Sequence, residues 1–114
     1  MAGDELNELL SDLPSDVRRA LSHPYRRQIL RILLVGGPMS SVEIADHPSA
    51  PCSAPCLSRH VRVLSVSSLL TEESVREERG MTEHFFSAAP LPDSIHEALA
   101  ETDALDRGTG LVRP

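Results

Sequence analysis

Three polar side chains share one face of a strongly patterned stretch, residues 54–64. The apolar residues of this stretch recur at helical spacing: Leu57, Val61 and Leu64. A helix with this pattern buries one edge and presents Ser58, Arg59 and Arg62 elsewhere. Hydroxyl and guanidinium groups hydrogen-bond to phosphates and to the edges of bases. We therefore predict a helix over residues 54–65 that lies in a DNA groove, with an ordinary amphipathic surface helix as the alternative.

The composition predicts one small cytoplasmic domain. The chain has 114 residues and a formal net charge of -6. It contains no apolar run of the ~20 residues that span a bilayer, and its acidic start lacks the basic region of a secretory signal. The charge disfavours a protein that coats nucleic acid indiscriminately, because non-specific affinity depends on cationic contacts to phosphate. A run of arginines without an intervening acid nevertheless leaves a basic face possible: Arg18, Arg19, Arg26, Arg27 and Arg31.

The N-terminal segment, residues 1–16, carries an apolar stripe. Its leucines recur at helical spacing: Leu6, Leu9, Leu10 and Leu13. Pro14 interrupts the pattern. The stripe could pack against a helix of a second subunit or onto the chain's own domain, and the sequence leaves both interpretations open.

Start and stop signals predict the helices that follow. One helix begins near Ser15, and Pro24 is well placed to start the next, because a proline at a first helical position loses no hydrogen bond. Residues 36–38, Gly-Gly-Pro, end that helix. Ser40 and Glu43 form a capping box for a short helix over residues 41–47. Arg26 and Arg27 lie on the longer helix, where a DNA backbone contact or an intramolecular ion pair would explain each; we favour the ion pair.

The 54–65 helix follows a proline-rich turn, residues 48–55. Ser53 is the predicted N-cap of this helix, and Cys56 also lies at its start, so both are weaker candidates for DNA contact. Two segments rich in Thr, Phe and Leu then flank a charged turn that ends at Gly80, which predicts a β-hairpin over residues 70–87. A last helix is predicted over residues 92–106, and residues 107–114 form a loose tail.

Three segments resemble the ArsR-type winged-helix repressor family. They are ALSHPYRRQIL (20–30), EIA (43–45) and LSRHVRVL (57–64), which are similar in order to the family's opening, second and recognition helices. The likeness extends over residues 17–87. It implies a homodimeric, sequence-specific transcriptional regulator. In such proteins the recognition helix enters the major groove, the hairpin is a wing that touches backbone or minor groove, and the terminal helices form the dimer.

The chain departs from this family around the recognition helix. The preceding turn is about two residues longer and carries three prolines: Pro48, Pro51 and Pro55. Ser68 stands where the family has a glycine before the first strand. Four glutamates make the wing acidic: Glu72, Glu73, Glu77 and Glu78. Because carboxylates repel phosphate, we expect this wing to touch DNA only through Arg76 and Arg79.

His60 follows the family pattern and could hydrogen-bond a phosphate, with a purely structural histidine as the alternative. His47, Cys52 and Cys56 could supply imidazole and thiolate ligands to zinc or a thiophilic ion. The paired cysteines of the family's metal sensors are absent, however, and the prolines stiffen this turn. We favour no metal and no other cofactor, and no motif for catalysis is present.

The sequence thus predicts a mainly α fold with a β-hairpin, a winged helix-turn-helix with additional terminal helices. The predicted division is a dimerisation segment over 1–16, a DNA-binding domain over 17–90, a dimerising helix over 91–106 and the tail. The predicted function is that of a homodimeric transcriptional regulator, a repressor, whose partner is double-stranded DNA and which has no membrane partner. The alternative is a winged-helix protein-interaction module without DNA binding, motivated by the acidic wing and using the leucine stripe.

Overall fold

The computed structural model describes residues 3–108, with side chains from residue 6 onward. Within this range the predicted fold class is confirmed: the chain is mainly helical, with a small antiparallel sheet. The elements in chain order are α1 Gly3–Leu9, α2 Ser15–Leu21, α3 Pro24–Gly36, β1 Met39–Ser40, α4 Ser41–Asp46, α5 Ala54–Val66, β2 Leu70–Glu78, β3 Met81–Ala88 and α6 Asp93–Gly108. The architecture is a winged helix-turn-helix with additional helices at both ends.

The predicted helix starts are those of the structure. Pro24 is the first residue of α3, and the preceding His23 caps the helix by accepting a hydrogen bond from the Tyr25 N–H. Ser40 and Glu43 form the predicted capping box of α4, with both reciprocal hydrogen bonds present. Local hydrogen bonds between neighbouring residues thus determine where α3 and α4 begin.

At the end of α5, Ser68 adopts the conformation for which a glycine was expected. Ser68 has a φ of 62°, the left-handed conformation that glycine adopts most easily. Its N–H donates to the carbonyl of Ser65, and the Leu69 N–H donates to the carbonyl of Leu64. These two bonds are the Schellman arrangement, which satisfies the last carbonyls of a helix. The chain therefore makes the turn without glycine, at a strain of roughly 1 kcal/mol.

The hairpin spans the predicted residues with a shorter turn and longer strands, and it belongs to a sheet of three strands in the order β1-β3-β2. The turn consists only of Arg79 and Gly80, both with positive φ, so Glu77 and Glu78 lie in strand β2 rather than in the turn. The third strand, β1, pairs Met39 with Phe86 across the sheet. β1 was not predicted, because two residues are too few to show a period.

The N-terminal leucine stripe packs onto the core of its own chain. Leu10 is only 2% exposed, and the other leucines of the stripe pack against the same core. This core is built around α3 and α5, from residues such as Ile29, Leu30 and Leu64. Helix α1 also contacts α6. Of the two interpretations of the stripe, packing within the domain is the one that the structure contains.

Two of the five clustered arginines face inward, so the run from Arg18 to Arg31 is not a single basic face. Arg27 is 5% exposed, and it donates to both carboxylate oxygens of Asp106 at 3.0 and 2.7 Å. Arg31 reaches the same carboxylate at 2.8 Å. The ion-pair interpretation is thus confirmed for Arg27. It is wrong for Arg26, whose side chain donates to His60 and to carbonyls instead.

Two predicted boundaries need correction. Helix α2 begins at Ser15, so the boundary drawn between residues 16 and 17 falls inside a helix. Helix α6 continues to Gly108, so Arg107 and Gly108 are helical rather than part of a loose tail. The rest of that tail, residues 109–114, lies outside the described residues. None of the helices in the described range is long and apolar enough to cross a membrane.

Candidate nucleic-acid interface

Helix α5 is held against the protein body by its apolar edge. The residues of this edge are buried, with exposed fractions of 0% for Leu57, 3% for Val61 and 0% for Leu64. They pack α5 against α3 and α4. Because both ends of the edge are anchored, the outer face of α5 is presented in a defined orientation.

The polar residues predicted to lie on that outer face do so. Ser58, Arg59 and Arg62 are all exposed. Within the described residues, none of these three side chains has a hydrogen bond or an ion pair to the rest of the protein. Two guanidinium groups without an internal acceptor are free to bind acceptors from outside, which is what phosphates and guanine edges offer.

The two candidates at the start of α5 differ in accessibility. Ser53 occupies the N-cap position as predicted, but its side chain makes no capping hydrogen bond. Its hydroxyl is exposed at the end of the helix. Cys56 is half-buried in the first turn of α5. Ser53 is therefore the better placed of the two for an external contact.

A groove with a volume of about 650 Å³ separates α5 from the hairpin. Both elements contribute polar side chains to it: Ser58, Arg62 and Ser65 from α5, and Glu72, Thr82 and His84 from the hairpin. One wall of the groove is thus the side of α5 next to its outer face, and the other wall is the hairpin.

The hairpin projects from the body, because every residue of β2 after Leu70 is exposed. Its two arginines lie at different distances from the tip of the hairpin. The Arg76 guanidinium lies over the Phe85 ring, 5.5 Å from the ring centroid, which restricts its orientation. Arg79 is exposed in the tip turn. Both predicted wing contacts are therefore accessible, but the structure does not bring them together.

Part of the acidity of the hairpin is engaged within the sheet. The Glu72 carboxylate lies 2.5 Å from Nδ1 of His84, and the Glu73 carboxylate accepts a hydrogen bond from the Ser87 hydroxyl at 2.5 Å. Both side-chain pairs join β2 to β3. Glu77 and Glu78 are exposed nearer the tip. Of the four glutamates of β2, the two whose carboxylates have no hydrogen-bond partner in the described chain are thus those nearest the tip.

A model of the helix-turn-helix domain matches residues 21–73. The matched region contains α3, α4 and α5 in full and ends in β2, so it includes the exposed polar face of α5. The match supports a DNA-binding regulator. No curated protein matches the chain.

A cluster beside α5, which we call the His23–His60 cluster, was missed by the sequence analysis. It consists of His23, Tyr25, Arg26 and His60, and it joins α3 to α5 within the helix-turn-helix domain. The ring centroids of His23 and His60 lie 4.4 Å apart, and the Tyr25 ring lies 5.0 and 5.6 Å from them. Arg26 Nε donates to Nδ1 of His60 at 3.2 Å. Because Arg26 and His60 are 34 residues apart, no local pattern indicates this contact.

The environment of the cluster keeps His60 uncharged near neutral pH. Burial in the first place, and then the charges of His23, Arg26 and Arg59, lower the pKa of His60 to about 4. Burial, and then Arg26 and Arg27, also lowers the pKa of His23. Protonation of Nδ1 in His60 would replace an acceptor by a second donor facing Arg26 Nε. His60 therefore has a structural contact with Arg26 through Nδ1, in line with the alternative interpretation of this residue. Its Nε2 remains available for a contact with DNA.

Acidification is expected to destabilise the domain through His60. Its pKa is about 4 in the folded protein against 6.5 when unperturbed, so the unfolded chain binds more protons between these values. The neutral His60 contributes fully to stability above pH 6.5, its unperturbed pKa. This contribution is lost as the pH falls towards about 4, its pKa in the folded protein. With allowance for solvent that reaches the ring, we expect a loss of about 1–2 kcal/mol.

Chemical unfolding at about pH 7 and about pH 4.5 measures this loss. His60→Gln, which cannot titrate, should lose less stability on acidification than the wild type. His96→Gln, remote from the cluster on α6, controls for the substitution itself. Equal pH dependence in wild type and His60→Gln would contradict the assignment.

The proposed metal ligands do not converge. His47, Cys52 and Cys56 belong to the turn before α5 and its first residues, and no group of three or more His, Cys, Asp or Glu side chains in the described range could hold a metal ion. His47 is engaged locally, since its Nδ1 accepts a hydrogen bond from the Ser49 N–H at 3.0 Å. The turn is also tied to α3 by a hydrogen bond from Gln28 to the Ser49 carbonyl. These contacts give the turn a structural role.

Proposed function

We propose that this protein is a sequence-specific, DNA-binding transcriptional regulator that represses transcription. Helix α5 reads the major groove through Ser58, Arg59 and Arg62, with Ser53 and Cys56 as secondary contacts at the helix start. His60 hydrogen-bonds a phosphate on one flank of the helix. The hairpin acts as a wing that touches the DNA backbone through Arg76 and Arg79.

One observation carries this proposal. The outer face of α5 presents two arginines without internal partners in the described chain, on a helix whose opposite edge is fully buried. A guanidinium that is already positioned loses little conformational freedom when it binds a phosphate or a guanine. The match of this region to the helix-turn-helix domain supports the same function.

The regulator is proposed to act as a homodimer, built from the terminal helices α1 and α6, in the cytoplasm. A two-fold dimer would place two copies of α5 about one helical turn of DNA apart and favour a palindromic operator. The outer surface of α6 carries small or apolar exposed residues that suit close approach: Ala100, Ala104 and Leu105. The molar mass in solution, measured by light scattering, tests this assembly.

The leading test is the DNA binding of Arg59→Ala. Duplexes are first selected from a random library by the wild-type protein, and affinity is then measured by fluorescence anisotropy at several salt concentrations. Loss of one arginine contact should weaken binding by about 1–3 kcal/mol and leave the fold intact. Arg107→Ala removes an exposed arginine on α6 and should bind like the wild type. Unchanged affinity of Arg59→Ala would remove α5 from the role of recognition helix.

The alternative, a protein-interaction module without DNA binding, has lost part of its basis. It relied on the leucine stripe as a docking surface, and Leu10 of that stripe is buried in the chain's own core. The acidic hairpin remains its other motivation. Salt dependence separates the two functions, because contacts to phosphate weaken steeply as salt is added, whereas a module of this kind would show no duplex binding at all.

A further inference from the structure

The nitrogen atoms that the His23–His60 cluster presents to solvent are hydrogen-bond donors. In both imidazoles Nδ1 accepts a hydrogen bond, from the Tyr25 N–H in His23 and from Arg26 Nε in His60. A neutral imidazole whose Nδ1 is an acceptor carries its proton on Nε2, so both Nε2 atoms are donors. The Tyr25 hydroxyl and Nη2 of Arg26 add two further donor groups.

These four donor groups are open to solvent. None of them has a hydrogen-bond partner in the described part of the chain. Among the described residues, every buried side-chain nitrogen or oxygen has a partner. These four unpartnered groups are therefore not buried, and water can reach them. The cluster is therefore a half-buried patch whose accessible nitrogens are donors and whose Tyr25 hydroxyl can donate as well as accept.

The positive charge of the patch is not balanced by a carboxylate. Arg26 donates Nε to His60 and Nη1 to the carbonyls of Arg19 and Ala20, and within the described residues it forms no ion pair. The exposed Arg59 adds a second guanidinium close enough to influence the charge of His60. A half-buried guanidinium whose partners are all uncharged favours an anion on its open side.

The location of the patch relates it to α5. His60 lies on the flank of α5 that faces α3, whereas Ser58 and Ser65 line the groove on the flank that faces the hairpin. The outer face with Arg59 lies between the two flanks, and Arg62 extends from this face to the groove. A helix seated in a major groove has a phosphate backbone on either side of it, about 12 Å apart. The hairpin borders one of these backbones, and the patch is positioned to border the other.

We propose that the His23–His60 cluster binds one backbone phosphate of duplex DNA, on the side of α5 opposite to the hairpin. This inference rests on the proposed function, and it adds His23, Tyr25 and Arg26 to the interface. A phosphodiester carries one negative charge and offers only acceptors at its two non-bridging oxygens, so it complements imidazole and guanidinium groups that can only donate and a Tyr25 hydroxyl that is able to donate. The contact also fixes the register of α5, since Arg26 links the phosphate site to the helix through His60.

Histidine side-chain NMR signals of the full chain test the site directly. The chain carries five histidines, and His47 and His96 serve as internal references. His84 lines the groove beside α5 and is not a reference. On titration with a duplex selected by the wild-type protein, the signals of His23 and His60 should shift together and saturate. Those of His47 and His96, which lie outside the proposed interface, should stay in place. Saturable duplex binding that leaves His23 and His60 unmoved would overturn the inference while the proposed function stands.

Variants at two positions test the energetic contribution. Arg26→Gln should weaken duplex binding about tenfold and lower the slope of log K against log salt by about one, as expected for the loss of one phosphate contact. Tyr25→Phe removes only a hydroxyl and should weaken binding about two- to fivefold, so it remains informative if Arg26→Gln fails to fold. Arg107→Gln, on α6, is the matched control and should bind like the wild type.

An uncharged analogue of the backbone phosphate distinguishes a direct contact of Arg26 with DNA from an indirect effect of Arg26 on the position of α5. Methylphosphonate is substituted at single positions along the selected duplex. At one position beside the bases that α5 contacts, the substitution should weaken binding by the wild type but not by Arg26→Gln, because the variant no longer binds the charge of that phosphate. Equal losses in both proteins at every position would assign Arg26 a purely structural role and overturn the inference. Failure of the wild type to select any duplex would overturn the proposed function, and this inference with it.

Discussion

Asp106→Ala is expected to lower the free energy of unfolding by about 3–5 kcal/mol. The Asp106 side chain is 2% exposed and is bound by both Arg27 and Arg31, at 2.7 and 2.8 Å. Its removal leaves two poorly hydrated guanidinium groups without their common counter-charge. The expected loss is therefore dominated by the cost of unpaired buried charge rather than by the attraction itself. Chemical denaturation followed by circular dichroism measures it.

Asp103→Ala is the matched control for that experiment. Asp103 lies on the same helix and also approaches Arg31, at 3.7 Å, but its side chain is 36% exposed. Ion pairs that water reaches contribute roughly 0–1 kcal/mol, so this variant should remain close to the wild type. A comparable loss in both variants would mean that burial does not determine the importance of Asp106.

Leu57→Ala is expected to destabilise the protein by about 2–5 kcal/mol, which is the usual cost of a cavity at a fully buried leucine. Leu57 is 0% exposed and lies under the first turn of α5. The same substitution should weaken DNA binding, because the outer face of α5 loses the anchor that orients Arg59. Urea denaturation measures the stability, and an unchanged m-value shows that the folded state keeps its compactness.

Val66→Ala provides the comparison on the same helix. Val66 is 76% exposed, so its truncation creates no cavity and should change stability by at most about 0.5 kcal/mol. If Leu57→Ala were as stable as Val66→Ala, the apolar edge of α5 would not be what holds this helix in place.

Helix α3 connects the candidate interface to the C-terminal helix through two adjacent arginines. Arg26 is directed towards α5, where it donates to His60, and Arg27 is directed towards α6, where it binds Asp106. Neighbouring residues on a helix point about 100° apart, which allows one short segment to contact both helices. The stability tested at Asp106 and the phosphate site tested at Arg26 thus depend on different sides of α3.

The sequence by itself determined the helices of the helix-turn-helix, where they begin, and the presence of the hairpin. The first residue of α3, the capping box of α4, the extent of α5 and the existence of the hairpin all depend on interactions between residues a few positions apart. A proline at a first helical position, or a serine and a glutamate three residues apart, acts through hydrogen bonds that the local chain can complete. The outer face of α5 followed as well, because helical spacing alone decides which residues oppose a buried edge.

Only the tertiary structure decided where the arginines of α3 point and what the leucine stripe packs against. Arg27 and Asp106 are 79 residues apart, and the pairing of β1 with β3 also joins distant segments. Spacing shows that a side chain is charged or apolar, but not which distant group it meets. That choice depends on how all the helices pack at once, because a buried guanidinium is tolerated only where the fold brings a carboxylate to it.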